Sequence, residues 1–400
     1  MRIKVVVKWF YLKVLLLGIG TISSCIEEIS PAFVDFEDLL VVQATLTDKL
    51  KHQNIYLSRT FEFEGGLNPL AGAEISLCNS EGHKFKFIDM QNGIYTSENE
   101  FAAKEGVEYQ LLITTQNGSI YESSKEVLPE RNPLDSVSIK VITNDLGEEG
   151  VAILANSFDA DGSPKNYRYE YEETYKIIAP KWRPKTLVPI EGTRCAMEES
   201  PDTEYKEVCF KQNKSVNILQ TSTKDLSEDR VDQFMVRFIP TDNYIISHRY
   251  SILVRQYVQS DQSFNFYKVL NELSSSESVF SENQPGFIQG NIANTYDRSE
   301  KVIGFFDINS ESEKRVFFNY SDLFPDRGLP QYVDRCVEIA PPFASSSEGC
   351  VLRVFMEEGL VSYVTKNDGD IDGGPFVVVP IVCGDCRELG SEEVPEFWVE

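Results

Sequence analysis

Tyr109-Gln110-Leu111-Leu112-Ile113-Thr114-Thr115, then Gln116-Asn117-Gly118, then Ser119-Ile120-Tyr121-Glu122-Ser123 reads as two β-strands joined by a tight turn. Asn-Gly supplies the turn because both residues tolerate positive φ, and apolar and β-branched runs flank it. The pattern repeats outward from this point. Comparable runs occupy Leu39 to Thr47, Gln53 to Arg59, Ala73 to Cys78 and Lys84 to Ile88, with a second Asn-Gly at Asn92-Gly93. About seven short strands in roughly ninety residues predict an immunoglobulin- or fibronectin-like β-sandwich over residues 38–131. Leu128-Pro129-Glu130-Arg131-Asn132-Pro133 then reads as a linker, since two prolines among polar residues resist both helix and central strand.

Beyond it the β pattern continues to residue 400, so the chain is expected to be mainly β, with a larger β-rich second domain over residues 132–400. That domain contains Tyr167-Arg168-Tyr169-Glu170-Tyr171 and Tyr250-Ser251-Ile252-Leu253-Val254-Arg255-Gln256-Tyr257. One segment departs from the strand period. Ser260 or Asp261 can cap a helix whose Phe264, Tyr267, Leu270 and Leu273 share a face, and a Ser-rich loop follows it.

The N-terminus carries Arg2, Lys4, Lys8 and Lys13 before Val14-Leu15-Leu16-Leu17-Gly18-Ile19-Gly20, an apolar run too short to span a bilayer. Ile22-Ser23-Ser24-Cys25 follows, the lipobox arrangement of a bacterial lipoprotein. Residues 1–24 are therefore expected to be a signal peptide, Cys25 the lipidated first residue, and residues 25–37 a tether to the outer membrane. With 38 basic and 63 acidic residues the net charge is −25, or −29 without the four signal cations. Such a field repels phosphate backbones, so nucleic acid is excluded as a partner.

Eight cysteines fit an exported, oxidising compartment. With Cys25 reserved for lipid and Cys78 a buried strand thiol, three pairs remain among Cys195, Cys209, Cys336, Cys350, Cys383 and Cys386. The fourteen-residue spacings suggest Cys195 with Cys209 and Cys336 with Cys350, while connectivity among the last four stays open.

The chain resembles the Bacteroidota outer-membrane lipoproteins grouped as domain of unknown function 4249. The likeness rests on Leu40-Val41-Val42-Gln43-Ala44-Thr45-Leu46-Thr47-Asp48, Pro69-Leu70-Ala71-Gly72-Ala73, Asn92-Gly93-Ile94-Tyr95 and Gly106-Val107-Glu108-Tyr109. It continues through Pro133-Leu134-Asp135-Ser136-Val137, Val254-Arg255-Gln256-Tyr257, Gln289-Gly290-Asn291-Ile292, Cys383-Gly384-Asp385-Cys386 and Pro395-Glu396-Phe397-Trp398. The resemblance implies an immunoglobulin-like first domain, a larger β-rich second one, and a lipoprotein often encoded beside a TonB-dependent outer-membrane receptor barrel. It implies no catalytic residue. Glu27-Glu28 after the lipidated cysteine resemble the signal that sends such lipoproteins to the exterior face; a solvated acidic tether facing the periplasm is the alternative.

Three constellations could carry chemistry. Asp368-Gly369-Asp370-Ile371-Asp372-Gly373 resembles the opening of a calcium loop, but Val379 stands where a bidentate Glu belongs, and a polar hairpin loop also accounts for it. Cys383-Gly384-Asp385-Cys386 lacks both a βαβ setting and a second ligand pair, so disulfides suit it better than zinc or redox chemistry. Tyr167, Tyr169 and Tyr171 alternate, with Tyr175 beyond them, and put their rings on one strand face, which suits either a binding surface or ordinary packing. No nucleophile elbow, phosphate-binding loop, dinucleotide fingerprint or zinc helix appears. The expected function is a non-enzymatic, cofactor-free binding or accessory module of a TonB-dependent transporter. An adhesin or envelope-assembly subunit is the alternative, and a surface glycan hydrolase with an acid pair a more distant one.

Overall fold

The computed structural model describes residues 38–60, 68–160, 162–201, 204–275, 288–344 and 349–400. Strand β1 (Leu40–Thr47) buries Leu40, Val42, Ala44 and Leu46 and turns Val41, Gln43 and Thr45 outward, the alternation a half-buried strand requires. It is followed by β2 (Asn54–Arg59), β3 (Asn68–Pro69), β4 (Glu74–Asn79), β5 (Lys84–Asp89), β6 (Ile94–Ser97), β7 (Glu108–Thr114), β8 (Ile120–Ser123) and β9 (Glu126–Val127). Both Asn-Gly signals join paired strands, β5 to β6 and β7 to β8. The mainly β character is as the runs predict. Yet these strands form one continuous path, β1-β2-β6-β5-β4-β7-β8, in place of the two separate sheets of an immunoglobulin-type sandwich. Their inward residues, among them Tyr95, Tyr109, Leu111 and Tyr121, share one core, so the sheet curls around it.

The rest of the chain adds β10 (Ser136–Thr143), β11 (Glu149–Asp159), β12 (Asn166–Ile178), β13 (Lys185–Pro189), β14 (Met197–Pro201), β15 (Val208–Lys214), β16 (Leu219–Ser222), β17 (Asp229–Pro240) and β18 (Arg249–Gln259). Helix α1 (Asp261–Ser275), β19 (Ile292–Asn294), β20 (Val302–Asn319), helix α2 (Val351–Glu357), β21 (Val361–Lys366) and β22 (Phe376–Pro380) complete it. The small sheet β10-β11-β17 covers β12 and β18, and a second core joins Val151, Ile153, Val231 and Ile239 to Tyr167, Tyr169, Ile252 and Val254. Farther on, the β13–β14 and β21–β22 hairpins and α2 share a smaller core around Leu187, Leu352, Tyr363 and Val378.

β20 joins the two halves. Val302 to Asn309 pair parallel with β1, and Ser310 to Asn319 pair antiparallel with β18. β19 adds to β8, and just before it the Asn291 side-chain amide donates to and accepts from the Phe306 backbone, both at 2.8 Å. Strand pairing therefore crosses the boundary expected at residues 131/132, and from Leu39 onward the described residues form one compact unit. The expected linker is pinned as well. Asn132 Nδ2 donates to Asp229 Oδ2 (3.0 Å), and Gln256 Nε2 donates to the Asn132 carbonyl (2.8 Å).

Asp229 is fully buried and accepts from Tyr167 (2.6 Å), Thr223 (2.7 Å) and Lys165 (3.0 Å). Burial pushes its carboxyl up, but those hydrogen bonds and the Lys165 charge outweigh it and hold the carboxyl below its ordinary value. A carboxyl with a lower pKa folded than unfolded stabilises above the unfolded value of about 4, and the contribution fades as pH falls through the folded value. The urea midpoint should therefore drop on acidification below about pH 4. An Asp229→Asn variant, less stable at neutral pH, should lose less over that interval. Parallel pH profiles for the two proteins would refute this.

The local disulfides expected from spacing do not form. Cys195 pairs with Cys350, Cys209 with Cys386 and Cys336 with Cys383, with Cα–Cα distances of 5.0, 5.5 and 5.7 Å. Cys195 lies in the β13–β14 connection, whereas β15 pairs with β12 and carries the Cys209 sulfur into the second core, where Cys386 meets it. Among the described residues Cys78 is the free thiol, and it is half-buried in β4, not buried. Helix α1 forms with Ser260 as its cap, accepting from the Ser263 amide at 3.2 Å. Its inner face is Ser263, Phe266, Tyr267 and Leu270, displaced from the expected set because Phe264 and Leu273 lie to the side.

Candidate functional site

On β12, Tyr167, Tyr169 and Tyr171 point one way and Arg168, Glu170 and Glu172 the other. Antiparallel register sets Arg168 beside Tyr257 and Glu170 beside Arg255 on β18, and then Glu311 and Glu313 on β20. Because β20 continues into the curled sheet, this charged face meets the outward residues of β1 and β2, including Gln43, Thr45, Asn54 and Tyr56. Between them lies a cleft of two adjoining chambers of about 400 and 360 Å³, with Gln43, Arg168, Glu170 and Ser215 lining both. Such volumes suit a small ligand.

Arg168 sits at the centre, 7% exposed. Its guanidinium lies 4.8 Å from the Tyr257 ring centre and 4.9 Å from that of Tyr267, which α1 supplies. Nη1 donates to Glu170 (2.6 Å), Nη2 lies 3.9 Å from Asp307, and Nε has no partner among the described residues. Burial alone would depress the Arg168 pKa, but Tyr267, Glu170 and Asp307 more than offset it, so the cation is held firmly. Arg255 contacts Glu172 (2.9 Å) and Glu313 (3.0 Å), Lys214 lies 3.4 Å from Glu172, and Lys51 lies 2.6 Å from Glu311. Burial pushes the Glu172 carboxyl up, yet Arg255 and Lys214 hold it below its ordinary value. Every cation lining the cleft is thus already matched by a carboxylate. Gln43 and Tyr56, by contrast, have side chains without partners among the described residues, and Tyr56 is 43% exposed.

Of the residues expected from sequence, Tyr171 lines the first chamber and Tyr169 borders the second, while the others fall elsewhere. Tyr167 and Tyr169 are fully buried, their hydroxyls bonded to Asp229 and to Gln256 (2.8 Å), so they are core and not a binding face. Tyr171 is half-buried, its ring 5.6 Å from the Arg237 guanidinium. Asp368, Asp370 and Asp372 are exposed and do not converge as metal ligands; the hairpin loop is organised instead by Asn367, which donates to Ile371 and Gly374 carbonyls at 2.7 Å. Cys383 and Cys386 belong to different disulfides, which leaves neither a thiolate for a metal. Cys25, Glu27 and Glu28 lie outside the described residues. Among the described residues no helix is long and apolar enough to cross a membrane. Sequence reasoning missed Arg168, Glu170 and Glu172, although the charges interleaved with the tyrosines were the signal.

Residues 26–315 match the family model described as "Domain of unknown function (DUF4249)", a span covering well over half of the chain. The chain belongs to that family. Both walls of the cleft lie inside the matched span, while β21, β22 and four of the six disulfide cysteines, Cys336, Cys350, Cys383 and Cys386, fall beyond it. No curated protein matches the chain.

Proposed function

We propose that this member of the family is a lipid-anchored, non-enzymatic binding module that works at the outer membrane with a TonB-dependent receptor barrel. The observation that carries the reading is the cleft. Its walls come from two halves of the chain fixed to each other by one strand, a rigid concave surface suited to capture. The lipobox ending at Cys25 supports anchoring, Glu27-Glu28 support display on the exterior, and the family resemblance supports the barrel as partner. The adhesin reading drew on the tyrosine-rich strand, and burial of Tyr167 and Tyr169 removes that support.

Affinity purification of the tagged lipoprotein in mild detergent tests the proposal. Recovery together with a barrel is expected, and a Cys25→Ala form should leave the membrane fraction. Recovery without a barrel, under conditions that keep other envelope complexes intact, would reject the partnership. Protection of the native protein from protease added to whole cells would reject the outward orientation.

A further inference from the structure

The cleft carries a polarity gradient that strand register imposes. β1 and β20 run parallel, with Val41 opposite Ile303, Gln43 opposite Phe305, Thr45 opposite Asp307 and Thr47 opposite Asn309. Along β1 the cleft-lining residues pass from Val41 through Gln43 to Thr45 and Thr47, while β20 contributes Ile303 and Phe305 to the apolar end, its Asp307 and Asn309 being buried and lining neither chamber. Parallel pairing sets the apolar residues of both strands at the same end of the cleft. Helix α1 closes the apolar end with Phe266, Tyr267 and Leu270, and the Phe266 and Phe305 ring centres lie 5.5 Å apart. At the other end Asn54, Tyr56 and the Glu172–Arg255 pair offer donors and acceptors of both kinds.

We infer that the cleft takes a small amphiphile, its apolar part beneath α1 and an uncharged hydrogen-bonding headgroup beside Gln43, Asn54 and Tyr56. A net-charged headgroup would have to break an existing ion pair, since the cations here already hold carboxylates. Between the two ends Arg168 lines both chambers, and its buried Nε lacks a partner among the described residues. A ligand wholly polar or wholly apolar would leave one end unmatched. This inference deepens the binding reading and rests on it. Its test uses purified protein alone, so failure here leaves the barrel experiment unaffected.

The probe is n-octyl-β-D-glucoside below its micelle concentration, titrated calorimetrically against glucose and octanoate as head-only and anionic controls. Octyl glucoside should bind at least about ten-fold more tightly than either control. Val41→Lys, at the apolar end, should weaken it by about ten-fold, and Tyr56→Ala, on an exposed side chain, by several-fold. Both variants should keep the native melting temperature. Equal affinity for glucose or octanoate, absence of octyl glucoside binding to the folded protein, or an unchanged affinity in both folded variants would overturn the inference.

Discussion

Replacing Cys386 by serine is expected to lower the stability of this protein by about 4 kcal/mol, within the range of about 2 to 5 kcal/mol for loss of a native bridge. The Cys209–Cys386 bond spans 177 residues, and in the chain-entropy model a closed loop of that size is worth about 5 kcal/mol. Overlap with the loop closed by Cys195–Cys350 makes the separate contributions non-additive, which reduces the single-variant effect. Both sulfurs are fully buried, so the substitution also leaves a hydroxyl in the core. The C-terminal segment depends on the same link. Phe210 and Ser391 exchange backbone hydrogen bonds of 2.8 and 2.9 Å, and Trp398 packs on Phe210 with ring centres 4.9 Å apart. Urea titration gives the loss, and mass spectrometry of a non-reduced digest should recover a Cys209 peptide joined to a Cys386 peptide. A Cys195–Cys209 peptide would restore the local pairing and remove the basis of the expectation.

Gly304→Ala should be comparably damaging, by about 3 kcal/mol or more. Gly304 has φ of +138°, a region that side-chain-bearing residues rarely enter, and a Cβ there would lie 1.9 Å from the Val42 carbonyl oxygen. Neither side can yield cheaply. Val42 is Gly304's partner in the parallel register, and the Gly290 backbone presses on Gly304 from elsewhere, its own would-be Cβ only 1.6 Å from the Gly304 carbonyl oxygen. The loss should appear as a lower unfolding midpoint together with faster hydrogen exchange in β1 and the first half of β20. A native midpoint for Gly304→Ala would mean that β1 and β20 are not paired in this register.

The local parts of this fold were legible in the sequence because they have local causes. Asn92-Gly93 and Asn117-Gly118 set hairpins through their own backbone preferences, and Ser260 caps α1 from the neighbouring turn. What was not legible depends on contacts distant in sequence. The parallel pairing of Leu40–Thr47 with residues some 260 positions later leaves no turn signal. The disulfides likewise follow tertiary approach and not spacing. The candidate site shows the limit most sharply. Alternation along Tyr167 to Glu172 separates two faces, but only the covering sheet β10-β11-β17 decides that Tyr167 and Tyr169 are core and the charges line the cleft. The oxygens of Asp368, Asp370 and Asp372 had metal-like spacing, yet spacing does not make them converge.

Ligand is expected to meet this protein in the cleft between β1, β12 and α1. Hydrogen–deuterium exchange of the purified protein, with and without octyl glucoside below its micelle concentration, is the test. Slower exchange is expected, confined to residues 41–47, 168–172 and 263–270. Protection confined to another part of the molecule, such as the pocket beside Tyr244, His248 and Tyr332 or the β21–β22 hairpin, would contradict it, as would no protection at all.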